Sequence, residues 1–245
     1  MHTRKKKTGK ILHQIHSDPN PAKQGQAESV SGCVRCGTCC RKGGPCFHHA
    51  DRSLIDEGKI PCEFLFTIRK GETAWDNVRC VLYPQTSDII KIKSRENSSV
   101  CIFLNDAENA CTIYSDRPLE CRVLNCRDTR EIEKIYAEKR LTRQDLLGNV
   151  QGLRDIVEMH QARCDYDLIR EIIADPGQGN RKALEKIGEM VQYDFHIRSL
   201  TAEKGGKAME KMTDFLFGRP LWKTLEPIGI KIKIDGERVC IMPAF

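Results

Sequence analysis

Cysteine is the residue type whose number and spacing point to chemistry in this chain. The 245 residues contain 13 cysteines, and eleven of them lie between Cys33 and Cys126. The first block, Cys33-Val-Arg-Cys36-Gly-Thr-Cys39-Cys40, places four thiols within eight residues. A Cys-x-x-Cys turn lets two thiolates converge on one metal ion. Scattered core thiols, which behave as small hydrophobic residues, do not account for this density, so the block predicts a metal site.

A second group of cysteines follows about 60 residues later, and closing a loop of that length costs only a few kcal/mol because the penalty grows logarithmically. Its members are Cys101, Cys111, Cys121 and Cys126. Pro118 is expected to start a helical turn that carries Cys121. Arg117 and Arg122 flank this cysteine, and their positive charge favours a thiolate. We therefore expect the two blocks to form one site region.

The redox compartment decides whether such cysteines form disulfides or bind metal. The N-terminus, Met-His-Thr-Arg-Lys-Lys-Lys, is not followed by an apolar signal segment, and the chain has no run of 18 apolar residues. The number of cysteines is odd. These features predict a cytoplasmic protein that uses its thiols as metal ligands and has no membrane partner.

The net charge of +6 is concentrated at the N-terminus. Arg4, Lys5, Lys6, Lys7 and Lys10 stand there without an acidic residue, so the rest of the chain is almost neutral. A basic arm of this kind can bind nucleic acid loosely through phosphates, but a solvated, disordered terminus that aids solubility is the preferred interpretation. Nucleic-acid binding is therefore the least favoured partner hypothesis.

The cysteine motifs resemble those of the YkgJ-like cysteine-cluster family, the CxxCxxCC zinc- or iron-chelating domain, which is also described as an Fe–S protein family and is distantly related to flagellin lysine-N-methylases. The resemblance rests on the first block together with Cys-x-Phe-Leu at 101–104, Cys-x-Ile-Tyr at 111–114 and Arg-Pro-x-x-Cys-Arg at 117–122. It implies that eight cysteines bind the metal or cofactor: Cys33, Cys36, Cys39, Cys40, Cys101, Cys111, Cys121 and Cys126. The segment between the blocks is an insertion in which Cys46, Cys62 and Cys80 are spare or secondary ligands, and His48 is expected in an exposed loop.

The patterns along the chain predict an α+β fold. Residues 1–30 read as a disordered basic leader, and residues 31–128 as an irregular, metal-stapled cysteine-cluster domain. Residues 129–245 read as a mainly helical region that ends in a β-hairpin and packs on the preceding domain. Apolar periodicity and caps predict helices at 129–140, from Thr142 to Val157, at 166–174, 180–195 and 207–217, and alternation predicts the hairpin at 230–241.

Three functions are consistent with these motifs. A thiolate-only ligand set favours an iron–sulfur cluster, of the 4Fe–4S type, with a redox or enzyme-supporting role and an unidentified protein or redox partner. Two sites of four thiolates would instead make a zinc-stapled interaction module. A lysine N-methylase-like enzyme is the third hypothesis. No P-loop, dinucleotide-binding motif or nucleophile elbow is present, so the sequence does not decide whether the chain is an enzyme.

Overall fold

The computed structural model describes residues 35–148, 150–175, 179–235 and 238–243, so the predicted leader and Cys33 lie outside the described residues. The helices are α1 Thr38–Arg41, α2 Arg52–Asp56, α3 Leu119–Val123, α4 Arg130–Ile135, α5 Arg143–Leu147, α6 Gln151–Arg163, α7 Tyr166–Ala174, α8 Gly179–Phe217 and α9 Leu221–Thr224. The strands are β1 Leu65–Ile68, β2 Thr73–Asp76, β3 Val81–Pro84, β4 Ile89–Ile92, β5 Leu104–Asn105, β6 Ala110–Cys111, β7 Ile230–Asp235 and β8 Arg238–Pro243. This arrangement confirms the predicted α+β class.

The strands form four separate antiparallel pairs. Strand β1 pairs with β4, with Leu65 opposite Ile92, and both of these side chains are buried. Strands β2 and β3 form a hairpin inserted between β1 and β4, and β5 pairs with β6. The predicted C-terminal hairpin is confirmed as β7–β8, in which Ile232 lies opposite Ile241.

Apolar residues from the cysteine-rich half and from the helices share one core, so the irregular half packs on the helical half as expected. The buried members of the core are Phe47, Leu54, Ile60, Leu65, Ile90, Ile92, Cys101, Leu141, Leu147, Val157, Ile197, Phe215, Leu216 and Phe217. A buried hydrogen bond, from the Thr67 hydroxyl to the carbonyl oxygen of Phe215 at 2.7 Å, also joins β1 to α8. Apolar residues in short loops and strands had no periodicity that would have revealed this core.

The helical half agrees with the sequence patterns except at two breaks, at the end of α4, which stops at Ile135 and not at Arg140, and at α9, which was not predicted. Helix α7 begins and ends as predicted, because the Asp165 carboxylate caps its first turn. The helix expected from Thr142 to Val157 is two helices, α5 and α6. The helices expected at 180–195 and 207–217 are one element, α8, which is broken at Gly206, where φ is 67°. Glycine adopts this left-handed conformation without the strain that a Cβ atom would cause.

Candidate metal centre

The first cysteine block lies at a tight turn that enters α1. Gly37 precedes the helix with φ 72°, and a Cβ atom here would lie 2.5 Å from the Asn109 side chain, so glycine is required. The turn places the Sγ atoms of Cys39 and Cys40 3.9 Å apart. Cys36 is exposed, and hydrogen bonding with Thr38 lowers the pKa of its thiol.

The second block meets the first through the backbone. The N–H of Cys101 donates a hydrogen bond of 2.7 Å to the carbonyl oxygen of Cys40, and the Cys101 side chain is buried. Cys111 lies in β6 opposite Leu104, and Cys121 lies in α3, which begins directly after Pro118 as the sequence predicted. Cys126 is exposed, three residues beyond the end of α3.

Electrostatic repulsion between the thiols places those of both blocks within reach of one another. Burial, together with repulsion from the neighbouring thiolate of Cys39, raises the pKa of Cys40 to about 12. Burial also raises the pKa of Cys121, and Cys101, Cys39, Cys40 and Cys111 raise it further. Thiols that oppose each other's ionisation stay protonated until a cation arrives, and a coordinating metal deprotonates them. The structure thus brings Cys39, Cys40, Cys101, Cys111 and Cys121 together.

Two arginines next to the cysteine motifs in the sequence stack on one aromatic ring. The guanidinium carbons of Arg35 and Arg117 lie 4.1 Å and 3.6 Å from the centroid of the Tyr114 ring, which is the spacing of cation–π contacts. Arg122 lies 3.4 Å from the buried carboxylate of Asp51. Each of these arginines is therefore held by a structural contact, whereas the arginines whose charges lower the pKa of the thiols are Arg41 for Cys36 and Arg95 for Cys101, where burial outweighs it.

The inserted segment places its spare cysteines in different environments. Cys46 is buried, and its Sγ atom lies 3.6 Å from the Lys91 ammonium. Its N–H donates to Glu120 at 2.7 Å. Cys62 is partly buried in a turn next to the core, and Cys80 is exposed. None of these three thiols is among the groups that raise the pKa of Cys40 or Cys121. They are therefore not counted with the cluster.

The expectation of an exposed His48 was wrong. Its side chain is buried, with Nδ1 at 2.7 Å from the Glu138 carbonyl oxygen and Nε2 at 3.4 Å from the Glu120 carboxylate. The Glu120 carboxylate, next to Cys121 in α3, thus holds both Cys46 and His48 of the inserted segment. No motif or periodicity marked this carboxylate in the sequence, because its partners lie more than 70 residues away.

A second set of ligand-type side chains lies in the helical half. Among the described residues, the one group of three potential ligand atoms within 4.8 Å of one another consists of His160, Cys164 and Asp194, all buried. The Asp194 carboxylate already accepts hydrogen bonds from His160 at 2.7 Å and from the Arg198 guanidinium at 2.9 Å. An adjacent guanidinium opposes binding of a cation, so this set is a hydrogen-bond network.

Comparison with known proteins identifies the cysteine-rich half alone. No described helix is long and apolar enough to cross a membrane. No curated protein and no solved structure matches the chain. Residues 32–140 match the CxxCxxCC family, described as a "putative zinc- or iron-chelating domain", and the match includes both cysteine blocks. This match covers less than half of the chain, and it supports metal binding by the cysteine-rich half.

Proposed function

We propose that the two cysteine blocks hold an iron–sulfur cluster that has a redox or enzyme-supporting role. The observation that carries the proposal is the convergence of five thiols from both blocks, with no described histidine among them. Soft, thiolate-only ligand sets suit iron–sulfur clusters. A cluster of the 4Fe–4S type would supply one-electron transfer at this position.

The separation of the sulfurs supports a cluster over a single zinc ion. Zn–S bonds of about 2.3 Å place the sulfurs of a tetrahedral site about 3.8 Å apart. In the described part of the chain, no three cysteine sulfurs lie within 4.8 Å of one another. The ligands of a polynuclear cluster bind different irons and are farther apart, which suits this more open arrangement.

The charges around the site also suit an anionic cluster. Thiolates bound to iron carry net negative charge, and Arg41 and Arg95, whose charges favour ionisation of Cys36 and Cys101, would offset it. Buried Cys101 and partly buried Cys121 would form the inner part of the ligand set, and exposed Cys36 and Cys126 would form its solvent side.

One distance favours zinc as the alternative. The Sγ atoms of Cys39 and Cys40, at 3.9 Å, are separated by the edge length of a tetrahedral zinc site. A zinc-stapled module would therefore use this pair as two ligands of one ion. The methylase-like hypothesis has no comparable support: a groove of about 720 Å³ lies among α6, α7 and α8, and no cysteine lines it.

Anaerobic purification with metal and sulfide analysis tests the proposal. The expected result is a brown protein that absorbs at about 400 nm and contains about four irons per chain and acid-labile sulfide. Cys121→Ser should lose most of this iron. Cys164→Ser is the control, because Cys164 is also a non-exposed thiol but lies outside the cluster, and it should keep its iron. Colourless protein with stoichiometric zinc would refute the iron–sulfur proposal and support the zinc alternative.

A further inference from the structure

Helix α3, which carries Cys121, is too short to fix its own position. It has five residues, and its one buried residue is the charged Glu120 rather than an apolar side chain. A helix of this length is marginal in isolation, and the N–H groups of its first turn have no partner inside the helix. Polar contacts with other segments must therefore determine where α3 lies and where it presents Cys121.

Two buried carboxylates supply these contacts. The Asp51 carboxylate is fully buried and accepts one hydrogen bond on each oxygen, from the N–H of Leu119 at 2.7 Å and from the N–H of His48 at 3.0 Å. The Glu120 carboxylate accepts a hydrogen bond from the N–H of Cys46 at 2.7 Å, and its other oxygen lies 3.4 Å from Nε2 of His48. One acid belongs to the inserted segment and the other to α3, so the two elements hold each other from both sides.

The part of the inserted segment that receives α3 is built into the core. The N–H of Phe47 donates to the carbonyl oxygen of Ile90 in β4 at 2.9 Å, and the Phe47 carbonyl oxygen accepts from the N–H of Leu141 at 2.9 Å. These three side chains are fully buried. Because Cys46 and His48 flank Phe47, the groups that bind Glu120 are fixed by the core, and through them so is α3.

We propose that Asp51 and Glu120 are positioning residues of the metal centre, which hold α3 so that Cys121 meets the thiols of the first block. The inference rests on the proposed metal centre but is independent of which metal occupies it. Groups that hydrogen-bond around metal ligands orient those ligands, and their loss weakens metal binding by about ten- to hundredfold. Neither acid touches the metal in this role, since each acts through the helix that carries the ligand.

The two acids should respond differently to replacement by their amides. Both oxygens of Asp51 accept backbone N–H groups, so Asp51→Asn turns an NH2 group toward one of these donors and leaves it without an acceptor. Glu120 faces a backbone N–H on one oxygen only. His48 Nδ1 donates to the Glu138 carbonyl oxygen at 2.7 Å, so Nε2 of the neutral ring is an acceptor to which an amide NH2 group can donate. Glu120→Gln should therefore keep both contacts, whereas Glu120→Ala loses them.

Metal release to a chelator tests the proposal. The full chain, purified anaerobically with its metal, is mixed with excess EDTA, and the release of iron and zinc is followed over time. Alkylation of Cys121 by iodoacetamide is read in parallel by peptide mass spectrometry. Glu120→Ala and Asp51→Asn should release metal and alkylate Cys121 about tenfold faster than the unaltered chain, because a group that orients a ligand has been lost. Glu120→Gln should behave like the unaltered chain.

Glu72→Ala is the matched control for general destabilisation. Glu72 is fully buried, accepts a hydrogen bond from the N–H of Arg69 at 3.1 Å and binds the Arg219 guanidinium at 2.6 Å, and neither partner belongs to a cysteine block. This variant should lower the melting temperature but leave metal release and Cys121 alkylation unchanged. Equal acceleration in Glu72→Ala and Glu120→Ala would overturn the proposal.

The amide pair keeps the test decisive even if Glu120→Ala does not fold. Faster release in Asp51→Asn than in Glu120→Gln supports the positioning role, and equal release in these two variants overturns it. Because iron and zinc are both counted, a chain that carries zinc would refute the iron–sulfur proposal without affecting this comparison. Alkylation of Cys121 that is the same in all variants would also overturn the positioning role.

Discussion

His160 should make the folded chain sensitive to mild acid. Its ring is fully buried, donates from Nε2 to Asp194 at 2.7 Å and contacts the Phe217 ring at 4.9 Å between centroids. Burial lowers the pKa of His160 to about 4 from an ordinary value of 6.5, and the charges of Arg69 and Arg198 act in the same direction. The folded protein therefore holds this histidine neutral at pH values where an unfolded chain protonates it.

The size of the effect follows from proton linkage. Between pH 6.5 and pH 4 the unfolded chain binds a proton that the folded chain excludes, so each pH unit of acidification removes about 1.4 kcal/mol from the free energy of unfolding. From pH 7 to pH 4.5, His160 alone should cost about 2 kcal/mol. Asp194 acts in a separate window. Although burial opposes ionisation, the hydrogen bond from His160 and the charge of Arg198 lower the pKa of Asp194 to about 2, so its contribution is lost only below pH 3.8.

Urea unfolding at pH 7 and pH 4.5 measures this loss for three proteins. In His160→Gln the loss should be about 2 kcal/mol smaller than in the unaltered chain, because the titrating group is gone. His49→Gln is the control, since the His49 side chain is half exposed and should keep the full loss. Acid release of bound metal is common to all three proteins and cancels in the comparison. An equal loss in His160→Gln and the unaltered chain would refute the assignment.

Three further predictions concern single elements of the fold. Gly218→Ala should lower the free energy of unfolding by about 3 kcal/mol in a urea titration, because φ is 74° and the new Cβ atom would lie 2.6 Å from the Arg69 side chain. Gly229→Ala, with φ 88° but open space around it, should cost only about 1 kcal/mol, and equal losses would contradict the steric argument. Thr142→Ala removes the capping box of α5 and should cost about 1 kcal/mol, whereas no change would show that the cap is dispensable. Deletion of residues 1–28, which show no apolar periodicity, should leave metal content and melting temperature unchanged, and a large fall in melting temperature would contradict this.

The elements predicted well are those whose signals are local. Helix α7 begins beside the Asp165 cap, and strand β7 follows strict alternation of isoleucine with polar residues. The family of the cysteine-rich half was predictable for the same reason, since Cys-x-x-Cys spacing is itself a local pattern. The Gly205-Gly206 pair indicates a break in α8 at Gly206. The relative orientation of the two helical segments on either side depends on their packing.

The features that were missed depend on contacts between distant segments. Phe47 and Ile60 are fully buried, yet each stands in a loop or turn that no apolar pattern distinguishes from a surface loop. The Cys46–Glu120 and His48–Glu120 hydrogen bonds join residues more than 70 positions apart. The exposure of the β2–β3 hairpin could not be predicted because Trp75 and Leu82 are residue types that are usually buried.

The same long-range contacts imply that the fold assembles the thiols before metal arrives. Cys101 belongs to the apolar core, and its backbone N–H donates a hydrogen bond to the carbonyl oxygen of Cys40. Helix α3, which carries Cys121, is anchored because the Leu119 N–H donates to the buried Asp51 carboxylate at 2.7 Å. Burial and mutual repulsion then keep the gathered thiols protonated. Metal that enters such a site orders little additional chain but must displace protons, so its affinity should rise steeply with pH.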